Sequence, residues 1–430
     1  MTLVGVAVGL GDVWRFPYLV GKFGGAAFVL FYLLVIAVIG VPAMMAELAL
    51  GRHTRRGPVG AFAAGGLPFG RQAGWFFLFV VAAATAYYIA VIGWVVYHAI
   101  GELARPLGIA IEAGRILPPD AGFEAGSFVR QMLCTGAVLT GCGLVMAKGL
   151  RSGIERASVI IMPVVFLILV LLAVRAVTLP GAMEGVRWYI LSFRLSDLTP
   201  PVMLAALGQA IFSLSLGGSF LVVYGSYLPD SISLRRTAVA TAFGDTAAGL
   251  IAGLAIIPAV FALGLEPSSG PGLIFATLPK VFAAIPTGWL FGALFFVGLS
   301  GAAFLSGIAA LEVLVAGLTD NTRLSRSRAI VIVALAAFLL AVPPSINNGI
   351  FIPWDLTFGS GMLTLGSLLA VLTVGWCMNR SAALDELSRG DDRPVSPLLI
   401  GWIRFGIPAA ILAVGVWWLA TSVLGVEAGV

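Results

Sequence analysis

Residues 4–17 read Val-Gly-Val-Ala-Val-Gly-Leu-Gly-Asp-Val-Trp-Arg-Phe-Pro, an apolar run of membrane grade that glycines break and that then carries an aspartate and an arginine. Gly5, Gly9 and Gly11 weaken a helix, and Pro17 limits it further on. Asp12 and Arg15 sit beside the break, where a charge at bilayer depth costs at least about 2.5–3.5 kcal/mol. Irregular backbone at that depth survives only where it is buried in protein or lines a cavity. A kinked helix end at the interface is the plainer reading. A discontinuous helix built around a binding site accounts for both charges.

The rest of the chain has the matching character. Of 430 residues, 60% are hydrophobic and only 10% charged, which no soluble domain of this size carries. The class is an all-α integral membrane protein. Cys134, Cys142 and Cys377 lie in or beside apolar segments without ligand spacing, so no disulfide framework or metal centre is indicated. His53 and His98 are the only histidines. The net charge of +5 comes from arginines scattered between spans, which excludes a nucleic-acid surface. Residues 1–17 lack the charged start and cleavage site of a signal peptide.

Apolar segments of spanning length recur at about 1–20, 26–50, 73–103, 129–148, 156–178, 201–227, 236–264, 287–318, 326–344, 351–378 and 396–424, about eleven transmembrane helices. Arginines and lysines concentrate after spans two, four, six, eight and ten, as in Arg52, Arg55, Arg56, Lys148, Arg235, Arg326 and Arg389. The positive-inside rule then puts the N-terminus in the cytoplasm and the C-terminus outside.

Span six repeats the opening anomaly. Residues 208–220 read Gly-Gln-Ala-Ile-Phe-Ser-Leu-Ser-Leu-Gly-Gly-Ser-Phe, with Ser213, Ser215 and Ser219 around Gly217 and Gly218 in mid-span. Spans one and six each open a group of five. Gly-interrupted segments at corresponding positions of two halves point to a transporter binding site. An odd number of helices per group turns the second copy over. The expectation is a single transporter domain over 1–430, with a first repeat in 1–178, an inverted second repeat in 201–378, and an extra helix at 396–424.

At this point the chain resembles the neurotransmitter:sodium symporters, in their bacterial amino-acid branch. The resemblance rests on Gly9-Leu-Gly-Asp-Val-Trp-Arg-Phe-Pro-Tyr18, on Gly24-Gly-Ala-Ala-Phe28, and on Gly40-Val-Pro-Ala-Met-Met-Ala-Glu-Leu-Ala-Leu-Gly-Arg52. Tyr87-Tyr88, Gly153-Ile-Glu-Arg-Ala157 with Met162-Pro163, and Gln209-Ala-Ile-Phe-Ser-Leu-Ser-Leu-Gly217 add to it. It implies the leucine-transporter fold, five plus five inverted spans with spans one and six discontinuous, in a bacterial-type plasma membrane. It also implies sodium-coupled symport by alternating access, and leaves room for a homodimer.

What the resemblance implies can be placed residue by residue. Backbone N–H groups at Gly9, Leu10 and Gly11, at a helix end whose dipole favours an anion, and the Tyr88 hydroxyl would hold a substrate carboxylate. Relatives that carry amines without a carboxylate have aspartate where this chain has Gly9, which favours an amino acid. Carbonyls at Ala7, Phe212 and Ser213 would accept from its amino group. Ala84, Phe212, Ser215, Gly218, Ser306 and Ala310 would face its side chain. The small residues at 84, 218 and 310 suggest a bulky hydrophobic or aromatic one, unless flanking helices refill the space.

The first sodium site would comprise Ala7, Asp12, Ser213 and Asp245, oxygens suited to a hard cation. Asp12 stands where asparagine is common. Three negative groups would then face one ion, so one carboxyl is expected to hold a proton for part of the cycle. The alternative is that Asp12 caps backbone N–H groups. The second sodium site would use Gly5, Val8, Ala302 and Ser306, weakened by Leu305 in place of an oxygen-bearing side chain. Gly249, where chloride-dependent members have serine, makes chloride dependence unexpected.

Arg15 with Asp355 and Gln209 would form an outer gate. Tyr227 and Asp320 would form an inner one, whose N-terminal partners are missing from a chain that begins inside span one. Either a longer first helix is encoded upstream or the inner seal is incomplete. Glu47 and Glu312 are expected to pair with polar backbone or water near the broken helices. An intramembrane enzyme needs a nucleophile with a base or a metal cluster, which two separated histidines and unclustered cysteines do not supply. A proton-coupled or a non-transporting, sensor-like homologue stays open as the alternative.

Overall fold

A computed structural model describes residues 7–109, 111–149, 155–265, 273–284 and 287–420; they form helices and connecting turns, with no strand among them. Eight helices among these residues are long and apolar enough to cross a membrane: Gly25–Thr54, Gly70–Leu107, Ala125–Ala147, Arg156–Val177, Leu234–Ala262, Gly288–Asn321, Asn348–Cys377 and Pro397–Trp417. They are the expected spans two to five, seven, eight, ten and eleven.

The other three are short or interrupted, each for a local reason. Span nine is the helix Arg326–Leu340, followed by a 3-10 turn at Pro343–Ser345, where consecutive prolines remove the donors an α-helix needs. Span one runs through a π turn, Gly11–Arg15, into the helix Phe16–Phe23, which stops at Gly24 with φ +103°. A glycine in left-handed conformation is the usual helix terminator. Gly5 lies outside the described residues. Span six is two helices, Pro200–Ser213 and Phe220–Tyr227. Between them Ser215, Gly217 and Ser219 have φ of +55°, +85° and +57°, values that end α-helical hydrogen bonding.

The breaks are held by close backbone packing. A Cβ on Gly217 would lie 1.9 Å from the carbonyl oxygen of Leu363 in span ten, and one on Gly366 would lie 2.0 Å from that of Gly217. The second half of span six lies equally close to span two. There a Cβ on Gly51 would meet the Val222 carbonyl oxygen at 1.9 Å, and one on Gly225 the Leu48 carbonyl oxygen at 2.5 Å. Small residues are what let membrane helices approach backbone to backbone. The long spans three and eight pack along one another behind the site, with Gly307 against Ile89 and Ile92 and Gly317 against Leu78.

One end of the molecule is tied by charge. Buried Arg52, at the end of span two, pairs with buried Glu386 of the short helix Arg380–Ser388, and donates to the carbonyls of Glu386 (2.6 Å) and Ile232 (2.5 Å). A buried guanidinium satisfied this fully is a structural clasp. It joins span two to the segments after spans six and ten. Cys134, Cys142 and Cys377 are unpaired.

Candidate functional site

The two broken helices face each other, and the buried polar side chains collect where their backbones open. A cavity of about 190 Å³ lies between spans one, three, six, eight, ten and eleven. Ala7, Gly9, Gly11, Ala84, Tyr88, Phe212, Ser213, Ser215, Ser306 and Ala310 line it, together with Arg15. Of the residues expected at a substrate, Leu10 and Gly218 do not line it. Leu10 is buried and gives its N–H to the Tyr88 hydroxyl, at 3.4 Å. Gly218 is covered by the Phe220 ring.

The glycines at the break stand in close quarters. A Cβ on Gly9 would come 2.7 Å from Ser306 Oγ and 2.9 Å from the Tyr88 hydroxyl oxygen, and one on Gly11 would come 3.0 Å from the Phe212 ring. Backbone at Gly9 and two hydroxyls therefore share one point. The aromatic ring of Phe212 and the methyls of Ala84 and Ala310 give the rest of the cavity an apolar wall. A polar end beside an apolar chamber is the usual form of a small-molecule site.

Beside the cavity, Asp12, Ser213 and Asp245 converge from spans one, six and seven. Ser213 Oγ lies 2.5 Å from Asp12 Oδ1 and 2.6 Å from Asp245 Oδ2, and accepts from the Tyr32 hydroxyl at 3.2 Å. All three of the converging side chains are buried. Asp12 Oδ2 accepts from the Gly9 N–H at 2.9 Å, so Asp12 caps the opened backbone and faces the cluster at once. Asp245 Oδ1 is buried without a hydrogen-bond partner. A serine hydroxyl donates one proton, yet two carboxylate oxygens flank it. The arrangement calls for positive charge among these oxygens, and an all-oxygen donor set suits a hard cation. Gly249, one turn beyond Asp245, lies against Phe16 and the Asp12 side chain.

The residues assigned to a second cation are partly assembled. Ser306 Oγ donates to the Val8 carbonyl at 3.0 Å. Ala302 is buried one turn before it, and Leu305 is buried too. On the other side, Gln209 Nε2 donates to the Gly11 carbonyl at 3.1 Å and pins the two breaks together. Arg15 does not pair with Asp355 in this conformation: its guanidinium carbon stands 4.4 Å from the centre of the Phe212 ring. Asp355 Oδ1 and the Tyr87 hydroxyl both lie against Gly359, at 2.7 and 2.1 Å from where its Cβ would stand.

Glu47 behaves as its place beside a broken helix suggests, accepting from the Gly217 N–H at 2.9 Å. Glu312 does not. It pairs with Arg326, whose guanidinium reaches both its carboxylate oxygens at 2.9 and 2.7 Å, and accepts from the Tyr227 hydroxyl at 3.4 Å. Asp320 accepts from the Gly57 N–H at 2.6 Å, capping the short helix Pro58–Ala64. Tyr227 and Asp320 thus anchor separate bonds. Sequence reasoning missed Arg326, Tyr32 and Phe220. Nothing local in the sequence marks any of the three for the site.

The chain is similar to known proteins along nearly its whole length. The model of the sodium:neurotransmitter symporter family matches residues 1–110 and 122–420. An uncharacterized sodium-dependent transporter of Haemophilus influenzae is 32% identical over 435 residues, 96% of this chain and 95% of the relative. One from Bacillus subtilis is 32% identical over 435 residues, 96% of this chain and 94% of the relative. The crystal structure of MhsT in complex with L-phenylalanine, a leucine-transporter fold, superposes with a TM-score of 0.83 at 36% identity over 96% of both chains. With a match along nearly its whole length and relatives this similar, the chain belongs to the sodium:neurotransmitter symporter family, whose members are sodium-dependent transporters and not enzymes.

Proposed function

We propose that the chain carries a neutral amino acid with a bulky hydrophobic or aromatic side chain, coupled to sodium and without need of chloride. The observation that carries this reading is the shared point at Gly9. Opened backbone and the Tyr88 hydroxyl meet there at one end of an apolar chamber, beside the Asp12–Ser213–Asp245 cluster. The L-phenylalanine bound in MhsT supports the substrate class. Asp12, Ser213, Asp245 and the Ala7 carbonyl would hold one Na⁺, and Val8, Ala302 and Ser306 a weaker second. Sodium supplies the positive charge that two carboxylates and a substrate carboxylate need in a dry site. Asp245 already places negative charge where Gly249 offers a chloride no hydroxyl.

The Tyr88 hydroxyl and nearby N–H groups orient the carboxylate, while Phe212, Ala84 and Ala310 enclose the side chain. Closure of Arg15 onto Asp355 would seal the outer side, and opening of the Tyr227–Glu312–Arg326 group would unseal the inner one. The two five-span groups, 1–178 and 201–378, would move about the fixed site in a bacterial-type plasma membrane, N-terminus inside.

The test is uptake into proteoliposomes of each of the twenty amino acids, with Na⁺ replaced by K⁺ and pH varied independently. Accumulation of a large apolar amino acid that needs a Na⁺ gradient and not chloride is expected. Accumulation driven by a pH gradient without Na⁺ would assign the coupling to protons. Binding with no accumulation under any gradient would make the protein a sensor. Tyr88→Phe is expected to weaken substrate binding tenfold or more, because a hydrogen bond to a charged group is worth about 1.5–3 kcal/mol. Na⁺ binding measured without substrate should change little. Unaltered substrate affinity would remove Tyr88 from the carboxylate.

A further inference from the structure

Gly218 lies in the opened part of span six, where a side chain would project toward the substrate. That space is already filled. A Cβ built on Gly218 would fall 1.9 Å from Phe220 Cε2 and 2.3 Å from Cδ2, on the ring itself. Gly218 does not have the left-handed φ of Ser215, Gly217 and Ser219. Left-handed backbone is therefore not what calls for glycine at 218, and the three atoms nearest to an added Cβ all belong to the Phe220 ring. Phe220 begins the second half of span six, and its side chain turns back along the chain over position 218. The ring lines the cavity with Ser215, Ser306 and Ala310, and packs against Ala309 and Tyr224.

We propose that Phe220 is a specificity-determining residue of the transport site. Its ring stands in for the side chain missing at 218 and sets how deep a substrate side chain can reach. This rests on the reading of the cavity as an amino-acid site. The chamber is consequently smaller than a glycine at 218 suggests. Gly218 and Phe220 form one unit, in which the glycine exists to admit the ring.

The ratio of tryptophan to leucine affinity tests this, measured by ligand-induced thermal shift on the purified full chain. Phe220→Ala is expected to favour tryptophan over leucine by a further tenfold or more, since even one methylene in an apolar pocket changes selection by about 10–200-fold. Adding Gly218→Phe to that variant refills the space and returns the ratio to within about threefold of wild type. Phe220→Leu gives a partial shift, and serves if the alanine variant does not fold. A ratio unmoved in variants that still bind overturns the proposal, as does a shift that Gly218→Phe fails to reverse. Absence of amino-acid binding by the wild type would instead overturn the amino-acid reading, and this assignment with it.

Discussion

Gly217→Ala is expected to prevent recovery of folded protein, or to lower its melting temperature by 10 °C or more. Two independent penalties act at this one position. Its φ of +85° is left-handed, which costs an alanine about 1–2 kcal/mol. The new methyl would also lie 1.9 Å from the Leu363 carbonyl oxygen and 2.8 Å from the Leu363 carbon and the Ser367 nitrogen. Those atoms are backbone of a neighbouring span, so no side-chain rotation relieves the clash. Overpacking alone costs about 1–3 kcal/mol, and more where the surroundings are rigid. Domains have only about 5–15 kcal/mol to lose. Moving the opened segment away would also take the Gly217 N–H from buried Glu47.

Gly366→Ala should fail in the same way, because its methyl would lie 2.0 Å from the Gly217 carbonyl oxygen. Gly401→Ala, where a Cβ meets nothing within 4 Å, should melt at or slightly above wild type, as helical glycine is entropically costly. Melting curves of the three purified variants decide the matter. A Gly217→Ala protein as stable as the wild type would mean that spans six and ten do not touch through backbone.

The place of the breaks was legible from the chain because it rests on local chemistry. Clustered glycines and serines in mid-span weaken a helix, and the openings at 214–219 and before Gly11 fall on such clusters. Asp12, Ser213 and Asp245 are far apart in sequence, and no spacing rule joins them. Their meeting was expected from resemblance alone, and the fold brings them within 2.6 Å contacts.

What escaped the sequence depends on distances that only packing sets. Glu312 and Arg326 lie fourteen residues apart on two helices, and they meet because the turn at 322–325 folds the second helix back on the first. Phe220 reads as an ordinary apolar helix residue until the left-handed turn at Ser219 aims its ring over position 218. Arg15 had a carboxylate partner by analogy. In this conformation its guanidinium lies over the aromatic face of Phe212, and such a face attracts it by about 0.5–2 kcal/mol. Its choice between ring and carboxylate belongs to a conformational state and not to the sequence.

Asp245→Ala is expected to abolish stabilisation by Na⁺ while leaving the cation-free protein as stable as before. The two outcomes differ for a physical reason. Without a cation, Asp245 is the second carboxylate beside a hydroxyl that can satisfy only one, and its Oδ1 is buried without a partner. Deleting it relieves repulsion and desolvation, lets Ser213 donate to Asp12 alone, and costs only a small cavity. With a cation, the same deletion removes an oxygen ligand and a full negative charge from a dry site. The Na⁺ midpoint should rise by about a hundredfold or more, and the stabilisation of about 2.7 kcal/mol that a ligand gives at a hundred times its Kd should vanish. Asp245→Asn keeps an oxygen in place and should retain part of the response. The measurement is the melting temperature against NaCl concentration, with KCl holding ionic strength constant. A midpoint unchanged in Asp245→Ala would place the coupling ion elsewhere. A strongly destabilised cation-free variant would show that Asp245 serves the fold and not the ion.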